Sequence, residues 1–235
     1  MDRLQLDKNA KLTGRVYFKD EVMWLGLSGS GASFTFDGTK LVLKLKGDNI
    51  PVGENPIDYA RIAVYVDGKR VVDEMIDCAE KEITVIDCTE SAKSVVEIIK
   101  LSESPMSAVG IEAFAEGSAE ALPENPLKIE FIGDSITCGY GVDDEDENHQ
   151  FTTATEDVTK AYAYKTAKAL DAEYSMFSAS GYGIVSGYTE GDEPISEQTI
   201  PQFYCSYGFS RGNFAGTAPQ DIPWDFSKYV PQIIV

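Results

Sequence analysis

The chain has 235 residues, of which 43% are hydrophobic and 25% charged, as in ordinary soluble proteins with one large or two small domains. Twenty basic residues against 39 acidic ones give a formal net charge of −19, which argues against binding to nucleic acid or to anionic membranes. No apolar run approaches the ~20 residues of a membrane span, and the N-terminus lacks the apolar core of a signal peptide. Cytoplasmic and secreted locations both stay open.

The first half of the chain predicts an all-β domain. Short runs with period-two alternation are typical of strands: RVYF, EVMWLGL, ASFTF, KLVLKL, ARIAVYV, RVVDEMI, KEITVI and SVVEIIK. The pairs Asp37-Gly38 and Asp67-Gly68 lie between such runs and predict two-residue hairpin turns. We therefore predict a two-sheet jelly-roll β-sandwich over residues 1–118, followed by a linker over 119–126 that is rich in small residues and proline.

After the linker, residues 127–235 predict an α/β domain. The pattern gives a buried strand, a helix with Ala163, Ala167 and Leu170 on one face, a second strand, and the start of a buried third strand; these are LKIEFI, TKAYAYKTAKALDA, EYSMFSA and PQIIV. Strands that alternate with a helix predict a parallel sheet, here of the flavodoxin-like kind.

The four cysteines form no Cys-x-x-Cys or Cys-x-x-His pair, so the sequence predicts no zinc site, no other metal and no cofactor. Cys78 and Cys88 flank KEITVI and could face each other across a hairpin, but free thiols are the prediction. Packed structural roles are expected for Trp24, Trp224 and Cys138, with a sugar platform and a second nucleophile as the alternatives for Trp24 and Cys138.

The motif 131-FIGDSITCGYG-141 places Ser135 directly after the first predicted parallel strand. Functional sites in α/β sheets lie at the carboxyl ends of the strands. A serine at the start of a helical turn there exposes its hydroxyl, and its own N–H points to where an oxyanion would form. The structural alternative is a helix N-cap, because Asp and Ser both cap helices well and Gly-Asp-Ser alone is a weak signal.

The whole motif resembles the first sequence block of the SGNH (GDSL-type) hydrolases, in which the serine is the nucleophile. The segment 178-SASGYG-183, after the second strand, resembles the second block, although Ser178 replaces the usual asparagine. In that family the last glycine of this block donates its N–H to the oxyanion hole. The resemblance therefore implies an oxyanion hole made by Ser135 and Gly183, with Gly181 as the alternative if the register slips.

A β-sandwich before such a domain resembles carbohydrate esterase family two, the acetyl-xylan and related sugar O-acetyl esterases. Residues 26–45 are similar to the sandwich opening of that family, and residues 223–235 to the segment before its third block. The resemblance implies a serine esterase that removes O-acetyl groups from xylan, another plant glycan or oligosaccharides through an acyl-enzyme on Ser135. Asp134 is expected to orient the turn, and loop aromatics are candidates for stacking on a sugar: Tyr140, Tyr182 and Tyr188.

The resemblance also implies a histidine base from an Asp-x-x-His block and an asparagine from a Gly-x-Asn-Asp block, and the 235 residues contain neither block. The single histidine, His149, follows the acidic run 143–148, where carboxylates favour the protonated state that cannot act as a base. We predict a solvated loop there, with a calcium site as the weaker alternative because the ligand spacing and central glycine of a calcium loop are missing.

We therefore expect the chain to be the first part of a longer esterase, inactive or weak by itself, that self-associates through the edge of an incomplete sheet. Two other classes of function stay open. A sandwich with a decayed esterase domain could bind glycan without chemistry, or the GDSIT loop of a flavodoxin-like domain could bind an anion. The loop lacks the spaced glycines and lysine of a P-loop, which argues against the anion site.

Overall fold

A computed structural model of the chain describes residues 1–48 and 58–235. The strands of the described part are β1 Asp2–Leu4, β2 Lys11–Thr13, β3 Val16–Lys19, β4 Val22–Leu25, β5 Gly31–Gly47, β6 Arg61–Val66, β7 Lys69–Met75, β8 Glu80–Lys100, β9 Val109–Ala121, β10 Lys128–Gly133, β11 Glu173–Ser178 and β12 Ile233–Ile234. Its α-helices are α1 Leu6–Asn9, α2 Ser135–Cys138 and α3 Tyr162–Ala169. None of these helices is long and apolar enough to cross a membrane.

Strands β1 to β9 form one large antiparallel sheet. Its order is β3-β4-β9-β5-β8-β6-β7, with β1 pairing with β9 and β2 with β5. The core positions of β5 alternate along the strand and are fully buried: Phe34, Phe36, Leu41, Leu43 and Leu45. The all-β character of this half is thus confirmed, whereas the jelly-roll arrangement stays a prediction.

One of the two predicted hairpin turns is confirmed and the other is wrong. Asp67 and Gly68 join β6 to β7 with φ values of 50° and 77°, which suits a two-residue hairpin turn. Asp37 and Gly38 instead lie inside β5, at a bulge in its pairing with both neighbouring strands. A Cβ at Gly38 would lie 2.3 Å from the carbonyl oxygen of Glu116, so this glycine permits a close backbone approach rather than a turn.

The predicted strands KEITVI and SVVEIIK are likewise parts of one strand, β8, which pairs with β5 from Gly31–Ile99 to Lys46–Glu80. Cys78 and Cys88 are free thiols, as predicted. Trp24 and Trp224 are buried in one aromatic cluster, which confirms their structural role.

The remaining three strands form a small parallel sheet in the order β11-β10-β12. Strand β10 pairs with β11 from Lys128–Glu173 to Gly133–Ser178, so both strands end at the same edge. Helix α3 buries Ala163 and Ala167, but Leu170 is its C-cap and is 53% exposed, so its predicted place on the buried face is wrong. The predicted burial of the last strand is also wrong, since Ile233 and Ile234 are 42% and 62% exposed.

The two sheets share a continuous apolar contact. Ile99 and Leu101, at the end of β8, pack in one buried cluster with Ile129 and Phe131 of β10. Strand β9 ends at Ala121 and β10 begins at Lys128; the predicted division into 1–118, 119–126 and 127–235 stays a prediction. Because of this contact, residues of the first half can reach the loops that follow β10 and β11.

Candidate active site

A cleft of about 690 Å³ lies where the loops after β10 and β11 meet. Parallel strands place their carboxyl ends at one edge, so residues that are about 45 positions apart in sequence come together there. The cleft is lined by every site residue that the sequence predicts: Asp134, Ser135, Tyr140, Tyr182, Gly183 and Tyr188. Their roles in binding or catalysis stay predictions.

Ser135 begins the short helix α2, but it is not the residue that caps that helix. The N-cap is Asp134, whose side chain accepts a hydrogen bond from the Ile136 N–H at 3.0 Å. In the described part of the chain, neither the hydroxyl nor the N–H of Ser135 has a hydrogen-bond partner. The capping alternative for Ser135 therefore does not hold, and both groups are available to a bound molecule.

The two glycines of the second loop differ in what their amides do. The Gly183 N–H already donates to the carbonyl oxygen of Gln198 at 3.4 Å. The Gly181 N–H has no hydrogen-bond partner within residues 1–48 and 58–235, and Gly181 also lines the cleft. Gly181 has a φ of +78°, in the left-handed region that favours glycine. Among the described residues, Gly181, the alternative register, thus has the unpaired amide of the two; which glycine serves an oxyanion hole stays a prediction.

The aromatic side chains form one wall of the cleft. Tyr140 stacks on Phe151 with ring centroids 3.7 Å apart and planes inclined by 9°. Tyr182 packs on Phe209 at 4.5 Å, and Tyr188 is 71% exposed. Phe151 and Met106 line the cleft without having been predicted. Met106 comes from the segment after β8, so only the packing of the two halves brings it to the site.

His149 does not approach Ser135. Its Nδ1 lies 2.9 Å from the carboxylate of Asp144 and its Nε2 lies 3.6 Å from that of Asp146, and the side chain is 65% exposed. This agrees with the expectation that His149 is an acidic-loop residue and not the base. The acidic run is not wholly solvated, however, because Asp143 forms ion pairs with Arg61 and Lys160.

Cys138 is a buried, packed residue, as predicted. Its thiol donates to the Ser178 hydroxyl at 3.2 Å, and burial raises the pKa of the thiol well above its usual value. Cys138, Glu103 and Glu156 bring ligand-type atoms within 4.8 Å of one another. A protonated thiol is a poor metal ligand, and the buried ammonium group of Lys100 already supplies positive charge there.

Comparison with known proteins accounts for both halves of this architecture. Residues 12–126 match the family model described as carbohydrate esterase 2 N-terminal. The chain is 30% identical over 211 residues to the cellulase/esterase CelE of Acetivibrio thermocellus, a match that covers 88% of this chain and 23% of that protein. The chain is thus similar to proteins of carbohydrate esterase family 2.

The similarity to family 2 proteins extends beyond residues 12–126. An acetylxylan esterase / glucomannan deacetylase of Cellvibrio japonicus is 28% identical over 236 residues, which covers 97% of this chain and 60% of that protein. A solved family two carbohydrate esterase from Clostridium thermocellum, in complex with cellohexaose, superposes with a TM-score of 0.77 and 27% identity over 96% of this chain and 64% of its own. The chain thus spans less than two thirds of these relatives.

Proposed function

We propose that the protein is a serine esterase that removes O-acetyl groups from carbohydrate. The observation that carries the proposal is the cleft in which the Ser135 hydroxyl, the Ser135 N–H and the Gly181 N–H all lack partners among the described residues. A nucleophile beside two unpaired amides is what acyl transfer requires. The printed activities of the relatives, acetylxylan and glucomannan deacetylation, support an acetylated glycan as the substrate.

In the proposed reaction, the Ser135 oxygen attacks the acetyl carbonyl and the amides of Ser135 and Gly181 stabilise the oxyanion. The sugar hydroxyl leaves, and water then releases acetate from the acyl-enzyme. Tyr140 and Tyr188 are proposed to contact the sugar, while Asp134 holds the turn through its bond to Ile136. The proton of the Ser135 hydroxyl passes to a general base, and His149 is not hydrogen-bonded to Ser135 in the described part of the chain.

The acyl-enzyme can be trapped directly. The full-length protein, mixed with p-nitrophenyl acetate and quenched in acid, should carry one acetyl group on the peptide that contains Ser135. Acetylated xylan should release acetate under the same conditions. The assay separates this function from non-catalytic glycan binding. Binding of acetylated xylan with neither acetate release nor a labelled peptide would establish the binding function instead.

Substitution of the two glycines distinguishes which amide serves the oxyanion. Alanine at Gly181 has open space, with only the Tyr188 Cβ 3.9 Å away, but its φ of +78° is strained. We expect Gly181→Ala to lower kcat by roughly a hundredfold, the scale of one oxyanion donor, with a small loss of stability. Alanine at Gly183 would lie 2.3 Å from the Ser186 carbonyl oxygen and should mainly lower Tm. Unchanged kcat in Gly181→Ala would indicate that the Gly183 N–H, and not that of Gly181, stabilises the oxyanion.

The finer architecture is part of the same proposal. We propose that residues 1–118 form a jelly-roll sandwich, that 119–126 link it to the next domain, and that 127–235 belong to a flavodoxin-like hydrolase domain. The long paired strands β5 and β8 and the parallel order of the small sheet support this assignment. Self-association through the exposed edge strand β12 stays a prediction.

A further inference from the structure

A buried charged cluster lies beneath the second loop of the cleft. Lys100, Glu103 and Glu156 are each 0% exposed. Lys100 is the last residue of β8, Glu103 follows in the segment that joins β8 to β9, and Glu156 precedes helix α3. None of the three has a part in the proposed acyl transfer. Their position next to the cleft, and the cost of burying charge, call for an account of what they do.

The hydrogen bonds of the cluster leave two carboxyl oxygens without a donor. The Lys100 ammonium donates to the carbonyl oxygens of Ser102 and Glu103, at 2.6 and 3.1 Å, and to the Ser102 hydroxyl at 3.4 Å. One oxygen of Glu156 accepts from the Glu103 N–H at 3.0 Å, and one oxygen of Glu103 accepts from the Ser180 N–H at 2.6 Å. The second oxygen of each glutamate, Oε1, has no partner within the described ranges.

Two negative charges would be costly in this site. The ligand atoms of Glu103 and Glu156 lie within 4.8 Å of each other, and burial raises the pKa of both carboxyls, that of Glu156 most strongly. Burial also lowers the pKa of Lys100 to about 8, which still leaves it charged at neutral pH. One ammonium and two carboxyls that hold one proton sum to zero charge, the arrangement that a buried site tolerates best.

The other charged groups that face the cluster have partners of their own. Arg61 faces Glu156 and forms ion pairs with Asp73 and Asp143. Arg211 faces Glu103 and pairs with Asp58.

The remaining titratable groups near the cluster are Asp48, Cys138 and Tyr140. Asp48 faces Lys100 and accepts from the Ala108 N–H at 2.6 Å. Cys138 faces both glutamates and is kept neutral by burial, as is Tyr140 on the cleft side.

We propose that Glu103 and Glu156 hold one proton between them, and that Glu103 is a positioning residue that fixes the Ser180–Gly181 loop so that the Gly181 N–H faces the Ser135 site. Its link to the loop is the hydrogen bond from the Ser180 N–H, one residue before Gly181. Glu103 follows the last strand pairing of β8, so the large sheet would set the geometry of the oxyanion loop. The positioning role rests on the proposed function; the shared proton does not.

The number of protons on Glu103 and Glu156 can be inferred from the Tm of glutamine variants of the full-length protein, because glutamine mimics a protonated carboxyl. If the pair holds one proton, wild type takes up that proton when it folds at pH 7, so Glu103→Gln and Glu156→Gln should each raise Tm above the wild-type value. The double variant should fall several degrees below the single variants, since Lys100 would then lose the charge of the remaining glutamate. A double variant more stable than either single variant would mean two protons, and a lower Tm in each single variant would mean none. A stoichiometric bound metal ion in the purified protein would also overturn the proposal.

The pH dependence of stability gives an independent check. A carboxyl whose pKa is raised in the folded state stabilises the fold fully below its unfolded pKa of about 4.3, and this stability is lost as pH rises through the folded value. Wild type should therefore lose stability relative to Glu156→Gln as pH rises from about 4 toward neutrality, below the range in which Lys100 titrates. The Ser180 amide resonance should move over the same pH range in wild type and stay still in Glu103→Gln, which has no titrating carboxyl at that hydrogen bond. The shared proton would be refuted if the stabilities of wild type and Glu156→Gln changed with pH in parallel and the Ser180 resonance of wild type did not move.

The positioning role is tested by kinetics with p-nitrophenyl acetate. Glu103→Gln keeps an oxygen for the Ser180 N–H, so its kcat should stay within a few-fold of wild type. Glu103→Ala removes that acceptor and should lower kcat roughly tenfold or more, with KM little changed. Equal kcat in wild type and Glu103→Ala would refute the role. So would a loss in Glu103→Gln as large as in Glu103→Ala. An inactive wild type would count against the proposed function, while the proton count is measured without activity.

Discussion

Ser135→Ala in the full-length protein is expected to lower the hydrolysis of p-nitrophenyl acetate by roughly a thousandfold or more, because the proposed mechanism forms the acyl-enzyme on Ser135. The fold should be unaffected. Asp134, not Ser135, caps helix α2, and the Ser135 hydroxyl has no hydrogen-bond partner among the described residues. Binding of acetylated xylan should persist, since the aromatic wall of the cleft stays intact.

Ser118→Ala serves as the matched control. Ser118 is an exposed serine near the end of β9, outside the cleft. The Ser118→Ala variant should therefore retain full activity and the wild-type Tm. Near-wild-type turnover in Ser135→Ala would remove Ser135 as the nucleophile. A parallel fall of Tm and activity in Ser135→Ala would show that the serine acts through the fold and not through chemistry.

The sequence predicted those parts of the molecule that depend on local pattern. Period-two alternation located the strands of the large sheet, and Asp67-Gly68 was recognised because the turn requires two positive φ values. The motif around Ser135 and the loop after β11 were placed at one edge because parallel strands end together. In each case the neighbouring residues alone determine the geometry.

Local sequence pattern gave wrong or incomplete predictions where a distant strand, or the other half of the chain, determines the local structure. Asp37-Gly38 has the composition of a turn, yet the close approach of β9 at Gly117 keeps it inside β5. The choice between Gly181 and Gly183 depends on Gln198, whose carbonyl oxygen accepts a hydrogen bond from the Gly183 N–H. Glu103 reaches Ser180 from 77 positions away, and no spacing in the sequence signals such a contact.

Arg15 is another long-range residue of this kind, and its substitution should have the largest effect on stability. It is 0% exposed, donates to the carbonyl oxygens of Tyr204 and Ser206 at 2.6 and 2.5 Å, and lies 3.4 Å from Glu130 on the central parallel strand. Its guanidinium also packs over aromatic rings at 4.4 to 5.7 Å, those of Phe177, Tyr204, Trp224 and Phe226. One side chain of the first half thus holds together the β10 strand and the long loop that follows β11.

Arg15→Met is expected to lower the free energy of unfolding by about 3–5 kcal/mol, because it leaves Glu130 buried without its cation and two carbonyl groups without donors. Among the described residues, Glu130 keeps two neutral partners, the hydroxyls of Tyr204 and Ser175. Urea unfolding should measure the loss. Adding Glu130→Gln should recover part of it, since the stranded charge disappears while the oxygen that accepts from Tyr204 remains.

Arg3→Met is the control for loss of an arginine as such. Arg3 lies at the surface, where it pairs with Glu21 and Glu112, and its removal should change the free energy of unfolding by less than about 1 kcal/mol. A similarly small loss in Arg15→Met would mean that apolar packing alone holds the two halves together. Because β10 leads directly into Ser135, a loss of the expected size should also reduce esterase activity before the protein unfolds. The ion pair between Arg15 and Glu130 would then be a condition for the geometry of the site as well as for the stability of the fold.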